Sequence, residues 1–405
     1  MVATPGQSNE SANSNESANS NESANSNDLR VTIFQRVFPH YRLAFFDALS
    51  DRLGGQLTLV HGRPLSDEGL READGTCSFR TVVVDQQCVN LRHQYLCRHP
   101  GLARVVLGTS PDVVVAEPNM RLLSTPGLLR AAARRGIGTL GWGLGRLNPP
   151  GGLVGGLRDR RSAALCRQFD ALVAYSTKGA ADYERIGIPR SRIFVARNAV
   201  ASVSSDVNWP AVRARRVARD LDRIRILSLG RLLEGKRVDD LLRACSRSRS
   251  RPELVVVGDG PDEARLRAIA DSIYPDTVFA GHTAGPELDA ILADVDLFVL
   301  PGLGGLAIQQ AVTAGLPVIV ATGDGTQGDL VGDRRNGYLI DEGDVDALVA
   351  RIDELAASRE LRERMGRESL EIARNEVNLE RMVESMVEAI RAARRLGAGR
   401  DGGAD

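Results

Sequence analysis

The sequence predicts an α/β protein of two doubly wound domains, each built on a parallel sheet, and three observations carry that prediction. Short β-rich apolar runs alternate with helical patterns in two separate series. A polar, Arg-rich stretch divides the series. The length of 405 residues, 43% of them hydrophobic, is too much for one compact core and enough for two.

The elements follow in order. Residues 8–25 repeat Ser-Asn-Glu-Ser-Ala-Asn three times with no large apolar side chain to bury, so residues 1–28 are expected to be a disordered tail. Residues 31–35 read as a buried strand and 41–53 as a helix. Further apolar runs at 57–60, 81–84, 113–116, 171–175 and 193–196 are separated by helical patterns such as 122–135 and 177–186, giving an N-terminal domain over 29–200. Residues 201–223 are the expected linker. The second series runs through 224–229, 254–257, 278–279, 297–300, 318–320 and 338–340, giving a C-terminal domain over 224–375. Right-handed crossovers then wind each sheet on both faces. Leu379, Met382, Val383, Met386, Val387 and Ile390 recur at helical spacing, so 376–396 is expected to be an amphipathic helix seeking another surface, followed by a tail over 397–405.

Composition excludes some classes. No run of about 18 apolar residues exists to span a bilayer. Cys77, Cys88, Cys97, Cys166 and Cys245 are odd in number and lack metal-ligand spacing, and no charged-then-apolar leader is seen, so a reducing, cytoplasmic setting is expected. His61, His93 and His99 have no ligand constellation, and no metal is assigned to them. The formal charge of zero hides an asymmetry: residues 28–200 carry +10 and residues 201–405 carry −7. The basic half suits an anionic membrane inner face or a phosphate-bearing acceptor, or is a solvated Arg-rich surface. Phe34, Phe38, Phe45 and Phe46 are either core or a membrane-dipping patch.

In doubly wound sheets, ligands sit beyond the carboxyl ends of the strands, and three loops there are equipped for one. The first, from Gly230 and Arg231 to Gly235 and Lys236, holds two cations in one short turn, which suits a diphosphate or is a solvated turn. The second, Gly258-Asp259-Gly260-Pro261-Asp262, reads best as an Asp-capped helix start. In the third, Gly304, Gly305 and Leu306 open a helix whose free amides favour a phosphate, and Gln310, one turn in, can serve ribose hydroxyls. A tightly packed Gly-rich turn is the other reading.

Taken jointly and in order, these loops resemble the family 4 glycosyltransferases, group 1 enzymes of the GT-B architecture, over about residues 224–375. The resemblance rests on Gly230-Arg231 with Lys236, the turn at 258–261, the Ala-Asp-Val-Asp run leading to Pro301, and Ala314-Gly315-Leu316-Pro317-Val318-Ile319. Shorter matches in the N-terminal half are Phe38-Pro39-His40-Tyr41-Arg42, Ala116-Glu117-Pro118, Gly141-Trp142-Gly143, Tyr175 and Asn198. The resemblance implies two facing Rossmann-like domains with a C-terminal crossover helix. It further implies a retaining, metal-independent hexosyl-type transferase that needs no cofactor. The donor site would comprise Arg231, Lys236, Gly304, Gly305, Leu306 and Gln310. Arg36, Arg42 and Trp142 would lie on the acceptor side. The implied partners are a nucleotide-sugar and a glycan or lipid-linked acceptor, with no nucleic acid.

Three positions depart from the family pattern. Gly302 and Gln310 stand where an acidic pair is common, and Leu144 stands at or near the usual active-site histidine. The first loop lacks paired glycines, leaving Arg36 and Arg42 to face donor phosphate or acceptor. His40 is then the candidate by motif, and Glu117 is either a base in the crevice or part of a turn and N-cap. The competing expectation is a weak or inactive relative that binds a nucleotide-sugar without transferring it.

Overall fold

The computed structural model describes residues 29–65, 68, 72–73, 76–91, 94–145, 152–200, 212, 223–323 and 325–399. The expected tail 1–28, His93, the linker 201–223 apart from Val212 and Arg223, and the last six residues lie outside them.

The first domain runs β1 (Val31–Val37), α1 (Leu43–Arg52), β2 (Leu57–Gly62), β3 (Arg80–Val83), β4 (Gln87–Leu91), β5 (Gln94–Arg98), α2 (Leu102–Gly108) and β6 (Val113–Ala116). It continues through α3 (Thr125–Ala133), β7 (Gly138–Gly143), α4 (Gly152–Cys166), β8 (Ala171–Ala174), α5 (Thr177–Arg185) and β9 (Ile193–Val195). Its sheet has the order β3-β2-β1-β6-β7-β8-β9, with every pairing parallel. Strands such as Val113–Ala116 and Ala171–Ala174 are buried at every position, as a sheet covered on both faces requires.

The second domain runs β10 (Arg225–Leu229), α6 (Val238–Arg247), β11 (Glu253–Val257), α7 (Glu263–Ile273), β12 (Val278–Gly281), α8 (Pro286–Asp294), β13 (Leu297–Leu300), α9 (Leu306–Thr313), β14 (Val318–Ala321), α10 (Gln327–Leu330) and β15 (Gly337–Ile340). Two further helices, α11 (Val345–Ala357) and α12 (Arg359–Asn375), complete it. Its order is β12-β11-β10-β13-β14-β15, again parallel. Each sheet therefore reverses its winding at one place, between β1 and β6 and between β10 and β13, and a crevice opens there beyond the strand ends.

The last helix, α13 (Leu379–Ala398), leaves the second domain and packs on β6, β7, β8, β9 and α1 of the first. Asn378 caps it, accepting from the Arg381 amide at 2.8 Å. One apolar cluster joins the domains, running from Ile33 and Leu140 through Ala199 and Met382 to Phe298 and Leu316. Asp329 of the second domain also accepts from the Thr177 amide at the start of α5, at 2.6 Å.

Several expectations are corrected. The helix foreseen from residue 41 begins at Leu43, because His40–Arg42 form a tighter 3₁₀ turn. Phe34, Phe38, Phe45 and Phe46 are all core, at 3% exposure or less, so they offer nothing to a membrane. The antiparallel hairpin β4–β5 was not foreseen. In it Cys88 and Cys97 stand directly opposite each other and form a disulfide. The reading of all five cysteines as reduced thiols thus fails at this pair, because cross-strand register, and not sequence spacing, brings them together. Among the described residues, no helix is long and apolar enough to cross a membrane.

Candidate functional site

At the second switch point the three glycine-bearing loops are stacked backbone on backbone. The Gly230 amide donates to Val257 O at 2.9 Å and the Leu232 amide to Asp259 O at 2.7 Å. A Cβ on Gly258 would meet Gly230 O at 2.0 Å, and one on Gly260 would meet Leu232 O at 2.2 Å. Both also have φ of +130 or above, so glycine is required on two grounds. The expected Asp cap of α7 is not made. Asp262 instead turns its carboxylate to Arg265, at 2.6 and 2.8 Å, and the turn's glycines serve the approach to the first loop.

The third loop closes over the first. The Leu303 amide donates to Gly235 O at 2.9 Å, and Gly302 lies flat against residues 235–236. The Lys236 amine reaches between them: a Cβ on Gly304 would stand 2.7 Å from Nζ, and one on Gly230 would stand 3.8 Å away. Arg231 and Lys236 line one recess with Gly230, Leu232 and Leu300. Helix α9 begins immediately after Gly305, whose N-cap position makes no side-chain hydrogen bond, so the first-turn amides have no side-chain cap. Arg231, Lys236, Gly304, Gly305 and Leu306 are thus brought to one place, and Gln310 lies a turn further along α9.

Two residues here escaped the sequence reading. Gln327, 1% exposed, donates through Nε2 to Gly304 O at 2.9 Å and accepts from the Gly325 amide at 3.0 Å, fixing the third loop from below. Thr326 abuts Gly305. Both follow β14, so the strand-end rule that singled out the other loops would have found them.

At the first switch point, β1, β6, β7 and β8 end together. Arg42 is 6% exposed, with its guanidinium carbon 4.9 Å from the Trp142 ring centroid, 5.4 Å from Tyr175 and 5.9 Å from Tyr41. Trp142 is 1% exposed, so the expected acceptor-side residue is a buried wall and not a contact surface. Arg36 is engaged in a two-point ion pair with Glu68 at 2.5 and 3.1 Å. Burial pushes the Glu117 carboxyl above its usual range, against the pull of Asn119, Arg36 and Arg42. Glu117 hydrogen-bonds Asn119, which makes a local turn with the Arg121 amide, while the N-cap of α3 is Ser124, so Glu117 sits in a turn just beyond β6 and caps no helix. His40 is exposed and its ring centroid is 6.5 Å from that of His282 at the end of β12. The two domains therefore face each other across this loop.

Leu144 lies just beyond β7 with its carbonyl packed on Gly179 of α5. Among the described residues, no three His, Cys, Asp or Glu side chains gather as metal ligands. A cavity of about 540 Å³ lined by Arg130, Arg167, Arg192 and Leu396 opens at the other end of the first sheet and shares no residue with these loops.

The group 1 glycosyl transferase family matches the chain over residues 213–371, the stretch that contains all three glycine-bearing loops. A GDP-mannose-dependent alpha-mannosyltransferase of Mycolicibacterium smegmatis is 37% identical over 135 residues, 32% of this chain and 34% of that protein. A putative colanic acid biosynthesis glycosyltransferase of Salmonella typhimurium is 27% identical over 206 residues, 47% of this chain and 49% of that one. The chain thus spans about a third to a half of these relatives. Among solved structures, Anabaena HepE in complex with UDP and glucose superposes with a TM-score of 0.66 at 15% identity, over 90% of this chain and 99% of that one. A sucrose-phosphate synthase from Thermosynechococcus elongatus gives 0.66 at 15%, over 89% and 98%. These likenesses establish the fold as GT-B, two facing Rossmann-like domains, here with a crossover helix.

Proposed function

We propose that the chain moves a hexosyl group from a nucleotide-sugar held on the second domain to a glycan or lipid-linked acceptor held on the first, with retention of anomeric configuration and without a metal ion. The observation that carries this reading is the Lys236 amine threaded between the loops after β10 and β13, beside Gly304 and the start of α9. A diphosphate placed there meets Lys236, Arg231 and the first amides of α9, so the charge that grows on the leaving group is met by fixed donors. Gln310 then serves the ribose. Gly302 has no side chain to offer the sugar, and backbone amides of residues 304–306 take that task. On the first domain, His40 and Glu117 face the acceptor, and a Glu117 carboxyl kept above its usual range by burial can hold the acceptor hydroxyl by donating or accepting a proton. The basic first domain supports peripheral placement at an anionic membrane surface.

The test is release of GDP or UDP from a panel that includes GDP-mannose and UDP-glucose, the nucleotides named for the relatives above, with and without a lipid extract. Acceptor-dependent release supports transfer. Leu144 and Gly302 favour a second reading, binding without turnover, and saturable nucleotide-sugar binding with no release under any acceptor would establish that instead.

A further inference from the structure

The charge at the first switch point has a gap in it. Arg42 is buried, its guanidinium carbon lies over the rings of Trp142, Tyr175 and Tyr41, and its NH1 has no hydrogen-bond partner among the described residues. Stacking satisfies the faces of a guanidinium through the aromatic quadrupole, but the in-plane N–H donors need an oxygen acceptor, and a cation is costly to bury without one. The neighbouring charges do not supply it. Arg36 keeps Glu68 for itself in a two-point pair, and Glu117 sits where burial disfavours its anion. Trp142 Nε1 beside it is also without a partner among the described residues. The loop that carries Arg42 faces the interdomain crevice: Tyr41 is 37% exposed and the His40 ring lies against His282 of the other domain.

We propose that Arg42, boxed by Tyr41, Trp142 and Tyr175, is the receptor for an anionic oxygen group, a carboxylate or a phosphate, on the molecule held by the first domain. This rests on the reading of that domain as the acceptor side, and it narrows the acceptor to a charged glycan or glycosyl phosphate. A carboxylate or phosphate that presents an oxygen in the guanidinium plane completes the NH1 edge with a charge-assisted hydrogen bond and removes the uncompensated buried charge. Neutral sugars lack that gain, so the site discriminates by charge before it discriminates by sugar.

The chain has two tryptophans, so in a Trp209→Phe background the fluorescence reports Trp142 alone. This protein is titrated with glucuronic acid, glucose 1-phosphate and glucose. The expected result is a saturable change with at least one charged probe at a concentration at least tenfold below that needed for glucose. Glucuronate alone identifies a carboxylate, and glucose 1-phosphate alone a phosphate. Arg42→Gln abolishes the response and Arg42→Lys restores part of it, while binding of GDP or UDP on the other domain shows that the variants are folded. Equal responses to glucose and the charged probes, no response to either charged probe, or an Arg42→Gln titration like that of the parent overturns the proposal. Should Arg42→Gln not fold, the contrast between charged and neutral probes on the parent protein decides alone. Charge-selective binding that persists when no nucleotide-sugar is turned over would leave this inference standing and remove the transferase reading, so the two fail separately.

Discussion

Gly302 lies backbone to backbone on Gly235: a Cβ at 302 would stand 2.3 Å from Gly235 O and 2.6 Å from Lys236 C. The position that often carries an acidic side chain in the resembling family therefore has no room for any side chain here. Gly302→Ala is expected to push the third loop off the turn that holds Lys236, an overpacking cost of about 1–3 kcal/mol. Melting temperature and calorimetric binding of GDP and UDP measure both effects. A variant unchanged in each contradicts the close packing.

The Lys236 amine beside Gly304 leads to the second prediction. Lys236→Ala or Arg231→Ala should weaken binding of the nucleoside diphosphate by about 1.5–3 kcal/mol each, the scale of one charge-assisted hydrogen bond. Stability should change little, because both side chains lie at a loop surface that is not fully buried. Titration calorimetry on the two variants is the check, and undiminished affinity in both would remove the diphosphate from this place.

Much of this was legible in the sequence, and the reason is local. Runs such as 113–116 and 297–300 are apolar throughout, which only a strand covered on both faces explains, and each is followed by a loop whose glycines mark close backbone approach. What the sequence could not show depends on cross-chain register. Cys88 meets Cys97 only because β4 and β5 pair antiparallel. Arg36 finds Glu68 across 32 positions, which diverts it from the phosphate role its place after β1 suggested. Gln327 reaches Gly304 from a loop with no motif of its own. Trp142 carried a motif but turned inward, since a Gly-Trp-Gly run at a strand end fits either side of the sheet.

His99 gives a pH prediction. It is 2% exposed with neither ring nitrogen partnered among the described residues, and burial, aided by the Arg36 charge, lowers its pKa from 6.5 to about 4. Between those values the unfolded chain binds the proton and the folded chain does not. The resulting stability is therefore fully present above about pH 6.5 and is lost as pH falls toward 4. Replacing the ring with an apolar one, His99→Phe, keeps the edge contact with Phe34, 4.9 Å away between centroids, and removes the titration. Its melting temperature should then fall less steeply with acid than that of the wild type. Parallel melting curves over that window would show that His99 is not the group responsible.

The crossover helix is the remaining point at which the domains can be separated experimentally. Met382, Val383, Met386, Val387 and Ile390 of α13 are buried, and the surface they cover is that of β6–β9 and α1, in the domain the chain left well before α13 begins at Leu379. The approach is closest at Gly138, where a Cβ would stand 2.6 Å from Ala393 O, and where a Cβ on Gly397 would stand 2.6 Å from Gly138 Cα. Helix and strand touch through their backbones there, so no side chain can be inserted without tilting the helix. Each buried aliphatic contributes about 1.5–3 kcal/mol. A chain ending at Glu376 should therefore lose far more than a surface helix would, expose apolar surface on the first domain, and let the two domains move apart. Gly138→Ala is the milder form of the same change, lowering the melting temperature without removing the cover. Melting temperature, dye binding and small-angle scattering follow the three consequences in turn, and nucleotide affinity reports on the site between them. A truncated chain that kept its melting temperature, its compact scattering profile and its nucleotide affinity would show that α13 is only an appendage.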